Sequence, residues 1–496
     1  MFDFEKISST RLYVAPTSER VVEFSPEDID VSNVARVLSL AVDAKCSGVD
    51  VFDGYVQVGG RVNFRLVYLD KEGAAKGVDY NADFSARVDG DFSDGESVMC
   101  EAVVAESEVQ AGDTLTLTAV LELKASAIKH EEIDALIGAD DCYVTKKDII
   151  VPKYIAQKSI TVPFDDERNV GAEIDSILSL STTCIAKQAK ATDGGVSARL
   201  NLIARVTYVE NERICTQDFN IPLEEEITLD GVEEGDEIML SCAVKNAKIV
   251  LQGVTDDNVI RLEGEAQIRF QAFRCEQTQV ISDLFMLTND TLVEQGRANY
   301  ECFDGCGYFV ESVNGIAPLL DNKPAAIEVS ALPYARCYTS RAYVDENSRL
   351  VVEGVINTDI IYKDENGYNS ARAEIPFSLA LASETPFSKD VRVKCLVQNV
   401  SAQVKRDRVV EVSADIAVKV CGYSSFELEY ISNVEVGNER AQNTSGLSVY
   451  VASGTDTMLD VCKALSAMPE DIMAQNPDLT LPFMDDTRII YFRAIK

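Results

Sequence analysis

The sequence predicts a mainly β protein in which three tandem β-sandwich or barrel-like domains are followed by a small domain of strand–helix–helix–strand (βααβ) order. Two observations support this fold class. An alternating strand that ends in tyrosine occurs three times, at Tyr68, Tyr208 and Tyr362. The last fifty residues, 447–496, then begin and end with short apolar strands and hold two amphipathic stretches between them.

The three tyrosine strands share one pattern. Apolar residues alternate with others up to each tyrosine, which is typical of a strand with one buried face. Polar turns follow at 70–73, 210–212 and 364–367. The residues expected on the buried face are Val62, Phe64 and Leu66 in the first copy, Leu202, Ala204 and Val206 in the second, and Ile356, Thr358 and Ile360 in the third. We therefore expect all three tyrosines to be largely buried, with their hydroxyls reaching a polar partner or the domain edge.

Further landmarks keep the copies in register after the tyrosine. An apolar residue follows at 15 or 16 positions, a cysteine at about 33, and a long alternating strand ends each copy. These landmarks are Phe84, Leu223 and Phe377, then Cys100, Cys242 and Cys395. Gly60 and Gly354 both lie eight residues before their tyrosine, where the second copy has Leu200. Repeated short strands with Gly, Asn and Asp turns favour sandwich or barrel-like domains, and we expect three of them in a row.

These landmarks set the expected domain boundaries. They are 1–135 for the first repeat with its N-terminal strand segment, 150–280 for the second, 281–325 for an irregular connection, 326–433 for the third, 434–446 for a flexible linker and 447–496 for the tail domain. Within the connection, Ser282–Phe285 is predicted to begin a short helix. The linker is predicted from its Gly, Asn and Ser content.

The tail has the local signals of two short helices. Asp456 and Thr457 lie where a side chain can cap the first helix, and Pro469 suits the first turn of the second. Asn476-Pro477 ends that helix, because proline disfavours the helical conformation at the residue before it. The apolar residues Met473, Leu479, Leu481, Phe483 and Met484 exceed what so small a core needs, so we expect some of them to be exposed.

This tail resembles the LysM domain, which binds N-acetylglucosamine polymers or, in some proteins, another protein. The matching residues are Val451, Gly454, Asp456-Thr457, Val461, Ile472 and Asn476-Pro477. Thr455 is inserted in the first loop, Asp486 replaces the glycine before the last strand, and Leu459 replaces a common aromatic residue. Because glycan contacts in LysM modules come mainly from these loops, the changes favour a protein-binding variant. The resemblance implies that the binding residues are Gly454, Thr455, Asp456, Thr457, Asn476, Pro477 and Asp478.

The repeats carry a second resemblance. Units whose central strand ends in an aliphatic residue and Tyr, with a later Ile-Pro pair as at 221–222 and 375–376 and a C-terminal LysM-like tail, resemble the SPOCS domains of spore-coat proteins in endospore-forming Firmicutes, of the clostridial coat morphogenetic type. The resemblance implies a non-enzymatic scaffold on the mother-cell side of the developing spore, in the cytoplasm. It also implies a protein of the coat's basement layer as the partner.

Composition narrows the function classes. The 496 residues carry a formal net charge of -36, which repels nucleic-acid phosphates and anionic lipid, so we expect neither as a partner. The first ten residues lack a basic region followed by an apolar run, so no signal peptide is expected. No stretch approaches the roughly 20 apolar residues of a membrane span. These features favour an intracellular protein.

Cysteine and histidine content indicates neither a metal site nor a cofactor. The thirteen cysteines are scattered, many of them in strand patterns, and are expected to be buried reduced thiols. Cys302 and Cys306 form the only close pair, and no second pair at zinc-site spacing exists, so we expect loop cysteines around glycines. The single histidine, His130, is expected to be a solvated helix residue.

Three functions remain open from the sequence. The first is a structural scaffold of spore-coat assembly whose tail binds a protein. The second is a glycan-binding protein whose tail binds peptidoglycan or another GlcNAc polymer. The third is an enzyme using carboxylate runs such as 224–226 and 485–486. Runs of charge are usually solvated, and no nucleophile, base or phosphate loop accompanies them, so we expect no enzyme.

Overall fold

The computed structural model of the chain describes residues 1–170, 173–254, 257–319, 323–383, 386–406, 408–440 and 446–493, with the side chains of 252–258 left out. The protein is mainly β, as predicted. Strands run from Phe2 to Glu439 in three successive groups, with one short 3-10 helix at Val31–Asn33. Among the described residues, both α-helices lie in the tail.

The strands of the three repeats have the following bounds. The first repeat holds β1 (Phe2–Val14), β2 (Ser18–Phe24), β3 (Val34–Phe52), β4 (Tyr55–Asp70), β5 (Ala75–Asp89), β6 (Val98–Ala111) and β7 (Leu115–Ala139). The second holds β8 (Cys142–Asn169), β9 (Ile174–Thr192), β10 (Gly195–Glu210), β11 (Arg213–Thr228), β12 (Glu237–Val254) and β13 (Asp257–Met286). The third holds β14 (Asn289–Pro318), β15 (Glu328–Val344), β16 (Leu350–Asp364), β17 (Gly367–Leu381), β18 (Asp390–Arg406) and β19 (Val409–Glu439).

Each repeat consists of two antiparallel sheets that share one apolar core. One sheet is a three-stranded meander, with orders β3-β4-β5, β9-β10-β11 and β15-β16-β17. The other sheet centres on the long closing strand, β7, β13 or β19, which pairs with β6, β12 or β18 on one side. On its other side the closing strand pairs with the strands that open the repeat. Both sheets contribute to one buried cluster per repeat.

The sequence landmarks fall at equivalent places. Tyr68, Tyr208 and Tyr362 all lie on the central strand of their meander. Tyr362 is 0% exposed and Tyr208 is 6% exposed, whereas Tyr68 is half-buried. The Tyr362 hydroxyl donates to the Pro324 carbonyl oxygen at 3.4 Å. The prediction of burial is therefore confirmed for two of the three tyrosines, and the first repeat departs from it.

The glycine that precedes the tyrosine in the first and third repeats lies opposite a phenylalanine on the neighbouring strand. Gly60 is opposite Phe84 and Gly354 is opposite Phe377, and the second repeat pairs Leu200 with Leu223 at the same step. A Cβ atom on Gly60 would lie 2.5 Å from the Phe84 ring and would also overlap the Lys45 carbonyl oxygen. The glycine is thus required by the close approach of a neighbouring ring and backbone.

Replacing Gly60 with alanine is expected to lower the free energy of unfolding by about 3 kcal/mol, because the backbone oxygen cannot move away as a flexible side chain could. Gly59 is the matched control. A Cβ atom there would lie 4.0 Å from the nearest atom, the Gly48 carbonyl oxygen, so Gly59→Ala should change stability by less than about 0.5 kcal/mol. Urea denaturation followed by circular dichroism measures both, and equal losses from the two variants would contradict the packing argument.

The three repeats form a closed ring rather than the expected row. The last strand of each meander packs against the first strand of the next, in the pairs β5 with β9, β11 with β15, and β17 with β3. A buried cluster where the repeats meet takes residues from all three: Leu38, Val67 and Leu69 from the first, Leu178 and Ile214 from the second, and Ala331 and Ile361 from the third. The third pair of strands closes the ring, so the first and third repeats are direct neighbours.

Polar contacts reinforce the junction between the third and first repeats. The Asp359 carboxylate accepts from the Ser39 hydroxyl at 2.8 Å and from the Leu40 amide at 3.3 Å. On its own sheet it accepts from Arg372 Nε at 3.1 Å. The Arg336 guanidinium donates to the carbonyl oxygens of Val42 and Val104 in the first repeat. Burial raises the pKa of the Asp359 carboxyl, against the opposing effect of Arg372.

Three two-stranded ribbons extend from the ring and pack together. They are the outer parts of β1 with β7 (2–14 with 126–139), β8 with β13 (142–154 with 273–286) and β14 with β19 (289–303 with 423–439). Each ribbon contributes to one apolar cluster that includes Ile7, Val151 and Leu428. We call this part of the molecule the ribbon bundle.

The ribbon bundle corrects several expectations. Residues 281–325 contain the end of β13 and all of β14 rather than an irregular connection, and Ser282–Phe285 is strand rather than helix. The first part of the expected linker, 434–439, belongs to β19, and residues 441–445 lie outside the described part. His130 is exposed as expected, but it lies on β7 opposite Thr10 rather than on a helix.

The cysteines also differ from expectation, and Cys275 is exposed rather than buried. Cys306 on β14 and Cys421 on β19 form a disulfide, so they are not reduced thiols, and Cys302 is buried on β14 rather than in a loop. Cys306 and Cys421 are direct partners in the register of these two strands, which explains why the sulfurs meet. Eleven cysteines are free.

Candidate functional site

The tail contains two strands with two helices between them in chain order. It consists of β20 (Leu447–Ala452), α1 (Met458–Leu465), α2 (Pro469–Gln475) and β21 (Thr487–Phe492), with the two strands antiparallel. Thr457 caps α1: its hydroxyl accepts from the Asp460 amide, and the Asp460 carboxylate accepts from the Thr457 amide at 2.8 Å. This reciprocal pair satisfies orphan amide groups at the helix start, so Thr457 has a structural role.

The remaining residues of the first predicted binding loop are also engaged within the tail. The Asp456 carboxylate accepts from the Ser453 amide at 2.9 Å and from the Tyr450 hydroxyl at 3.0 Å. The Ser453 amide, followed by the Tyr450 hydroxyl, lowers the pKa of this carboxyl. The Gly454 amide donates to Asp485 at 2.7 Å, and the Thr455 hydroxyl lies 2.9 Å from that of Ser453. The loop's polar atoms therefore hold its own shape.

The second predicted loop is divided between structural and exposed residues. The Asn476 amide nitrogen donates to the carbonyl oxygens of Ile472 and Ile490, and its oxygen accepts from the Ile490 amide at 3.0 Å. Asn476 thus joins the end of α2 to β21. Pro477 and Asp478 are exposed. No hydrogen bond within residues 446–493 links this loop to the first one, so the seven predicted residues remain a prediction.

The substituted glycine position keeps a glycine-like backbone. Asp486, which stands where the resemblance implies glycine, has φ of +62°. Aspartate is one of the few residues with a side chain that enters this left-handed region at small cost. The backbone path before the last strand is thus retained, while a carboxylate is added beside it.

An exposed apolar sheet face is the feature of the tail that the sequence analysis missed. Leu447, Val449 and Val451 on β20 are 53–55% exposed, and Ile490 and Phe492 on β21 are 41% and 61% exposed. Leu447 lies opposite Phe492, and Val449 lies opposite Ile490. These five residues form a continuous surface, which we call the tail sheet face. A signal existed, because both tail strands are apolar on both faces while two short helices can cover only one.

The expected excess of apolar side chains is found in part. Met473, Leu481 and Met484 are exposed, Leu479 is half-buried and Phe483 is buried. Phe483 fills the tail core beside Ile472 and Ile489. Exposed apolar residues therefore occur on the sheet face, on α2 and in the segment between α2 and β21, which adds to the surface available for a partner.

The tail packs against the ribbon bundle through its helical side. Phe285 at the end of β13 is 1% exposed and shares the core of the tail with Val461 and Cys462, and Tyr143 packs at its edge. Lys463 on α1 forms an ion pair with Asp283. Because α1 makes these contacts, the opposite side of the two-stranded sheet, which is the tail sheet face, points away from the body.

The described residues contain neither a metal site nor a membrane-spanning helix. Among the described residues, no group of three or more His, Cys, Asp and Glu side chains is placed to hold a metal ion. In the same part of the chain, neither α-helix has the length and hydropathy of a membrane-spanning segment.

The fold defines a protein of three related two-sheet units arranged in a ring and carrying a small docked tail. Residues 173–252, which span β9 to β12 of the second repeat, match the family model described as SipL, SPOCS domain. Searches of the curated proteins and of the solved structures gave no match. The match supports the SPOCS resemblance for the second repeat.

Proposed function

We propose that this protein is a non-enzymatic scaffold of spore-coat assembly, built from three SPOCS-type units and attached through a LysM-like tail to a protein of the coat's basement layer. The SPOCS match is the single observation that carries the link to sporulation. The same four-strand segment that it covers, β9 to β12, recurs as β3 to β6 and as β15 to β18. This recurrence supports extending the assignment to all three repeats.

The tail sheet face is the proposed attachment surface. Its five exposed apolar residues lie on neighbouring strands and would release bound water on contact with an apolar partner surface. A few residues near the centre of such a patch carry most of the binding energy in protein interfaces. The tail has a net charge of -3 and the whole chain -36, which suits a partner with basic residues around an apolar centre.

The glycan-binding alternative has less support from geometry. The polar atoms of the first loop are occupied by Ser453, Tyr450 and Asp485, and Asn476 is occupied by backbone groups of Ile472 and Ile490. A sugar ligand needs free donors and acceptors that match its hydroxyl groups. Glycan binding is therefore the second candidate function, and binding of chitin oligomers or peptidoglycan would support it.

Replacing Val449 and Val451 together with threonine is expected to weaken partner capture tenfold or more, because hydroxyls replace methyl groups in the contact. Threonine keeps the branched shape and the strand preference, so the tail should remain folded. The matched control is Val21→Thr with Val310→Thr, two valines that are 52% and 53% exposed on the repeats. The full-length variants would be immobilised and exposed to lysate of sporulating cells, and captured proteins would be quantified by mass spectrometry.

Loss of capture with Thr455→Ala and Asp478→Ala, but not with the valine pair, would move the attachment surface to the two loops. Sub-micromolar binding to chitin oligomers with no protein captured would favour the glycan-binding function. Point variants are preferable to deleting 447–496, because the deletion would uncover the buried side chain of Phe285.

A further inference from the structure

In each repeat, the two edge strands at which its sheets meet carry one cysteine each. The three pairs are Cys46 on β3 with Cys100 on β6, Cys184 on β9 with Cys242 on β12, and Cys337 on β15 with Cys395 on β18. The two edge strands of each pair pack against each other, although no ladder of backbone hydrogen bonds joins them among the described residues. Both members of each pair contact the apolar core of their own repeat.

The pairs occupy corresponding positions in the second and third repeats. Cys184 lies opposite Leu202, six residues before Tyr208. Cys337 lies opposite Ile356, which is also six residues before its tyrosine, Tyr362. The cysteine landmark that the sequence shows about 33 residues after each tyrosine is therefore one half of a spatial pair, and its partner lies on the preceding sheet.

The first repeat has a similar pair, but its position is shifted by two residues relative to the tyrosine. Cys46 lies opposite Gly60, eight residues before Tyr68, and Cys100 lies opposite Ala125. A shift of two residues keeps a side chain on the same face of a strand. Because Cys46 and Cys100 both still contact the core of the first repeat, the pair has moved as a unit.

The two cysteines of each pair interact with each other. Cys242 Sγ donates to the Cys184 carbonyl oxygen at 3.1 Å. Cys395 and burial raise the pKa of Cys337, whereas Cys337 lowers the pKa of Cys395. Burial raises the pKa of Cys46 to about 11 and that of Cys100 to about 12. Thiols with such values remain protonated at neutral pH, so they react slowly while the fold is closed.

We propose that each repeat carries a disulfide-forming site, Cys46–Cys100, Cys184–Cys242 and Cys337–Cys395, which joins the edges of its two sheets when a low-molecular-weight disulfide acts as oxidant. One cysteine loses its proton and its thiolate attacks a sulfur of the oxidant, forming a mixed disulfide and releasing one small thiolate. The second cysteine thiolate attacks the protein sulfur of that mixed disulfide and releases the other. Two protein thiols and one small disulfide thus give one protein disulfide and two small thiols, which take up the two protons.

Such a disulfide would link the two sheets of each repeat covalently. The bonds would close loops of 54 residues in the first repeat and 58 in each of the others. Closing loops of this length restricts the unfolded chain and stabilises the folded one. The existing bond Cys306–Cys421 is different, since it joins neighbouring strands of one sheet.

The test uses the full chain, reduced first and then incubated with oxidised glutathione. Peptide mapping by mass spectrometry without reduction should show the three predicted cross-links, and the melting temperature should rise by roughly 5–10 °C for each repeat locked. Cys337→Ala should remove the third cross-link and the part of the melting-temperature rise that this cross-link causes. The melting temperature of the same variant in its reduced form shows whether the substitution itself disturbs folding. Cys215→Ala, which removes a half-buried thiol of the second repeat, should change neither readout.

Two results would overturn the proposal. One is formation of the Cys306–Cys421 bond while the six paired cysteines remain free to be alkylated after unfolding. The other is a set of cross-links that joins cysteines of different repeats, or that leaves the melting temperature of oxidised and reduced protein equal.

Discussion

Replacing Tyr362 with alanine is expected to lower the free energy of unfolding by about 3–5 kcal/mol. The side chain is fully buried on the central strand of the third meander, within the core that holds Ile360, Ile375 and Phe377. Removing its ring leaves a cavity that surrounding strands cannot fill without breaking their register. Urea denaturation followed by far-ultraviolet circular dichroism measures the loss, since the chain has no tryptophan to report on unfolding.

Two related variants separate the contributions at this position. Tyr362→Phe keeps the ring and removes only the hydrogen bond to the Pro324 carbonyl oxygen, so a loss of about 1 kcal/mol is expected. Tyr68→Ala changes the same landmark in the first repeat, where the ring is half-buried, and should cost clearly less than Tyr362→Ala. A loss below about 1 kcal/mol for Tyr362→Ala would contradict its role as a core residue.

The repeat pattern could be predicted because a half-buried strand leaves a direct trace in the sequence. On the central strands of the meanders, alternate residues face one core, so the apolar set repeats at a period of two. The glycine and phenylalanine landmarks of the sequence are also neighbours in the structure. Gly60 lies opposite Phe84, and Gly354 lies opposite Phe377, on adjacent strands. The sequence therefore identified the central strands and their inward faces.

The ribbon bundle could not be predicted in the same way. A two-stranded ribbon such as 289–303 with 423–439 buries few side chains, so polar residues, glycines and a cysteine follow one another without a clear period. Such a segment reads as an irregular connection. Its strand form comes from backbone pairing with β19 and from packing among three ribbons, both of which depend on residues far away in the chain.

The closed ring and the tail sheet face could not be predicted from the sequence for another reason. Alternation shows that a strand has a buried face, but it does not identify what covers that face. Val449 and Tyr450 are both apolar neighbours on β20, and only the position of the helices decides that the valine is exposed. Likewise, Ser39 at the ring junction has no distinctive sequence signal, because its buried partner belongs to another repeat.

The second large effect is expected at the ring junction, where Asp359→Ala should lower the free energy of unfolding by about 3 kcal/mol. The variant leaves the buried Ser39 hydroxyl and the Leu40 amide without their acceptor, and it leaves Arg372 without its ion-pair partner. Arg372 is partly exposed and can regain water, which keeps the loss below that of a fully buried pair. Asp415→Ala is the matched control, because that half-buried carboxylate accepts from Ser312 and Asn399 within one repeat, and it should cost less than about 1 kcal/mol.

The pH dependence distinguishes the buried charge from its hydrogen bonds. Because burial raises the pKa of Asp359 above 3.8, the folded protein holds this proton to higher pH than the unfolded chain does. The stabilisation that results from this raised pKa is therefore present in full below pH 3.8. It is lost as the pH rises through the pKa of Asp359 in the folded protein. Asp359→Asn keeps an acceptor for Ser39 without the titration, so the stability of the native protein relative to this variant should fall as pH rises from 3.8. Hydrogen exchange at the junction of β3 and β17 would show whether the ring opens there first, and a pH-independent difference between the two proteins would contradict the assignment of a buried, titrating carboxylate at the closure of the ring.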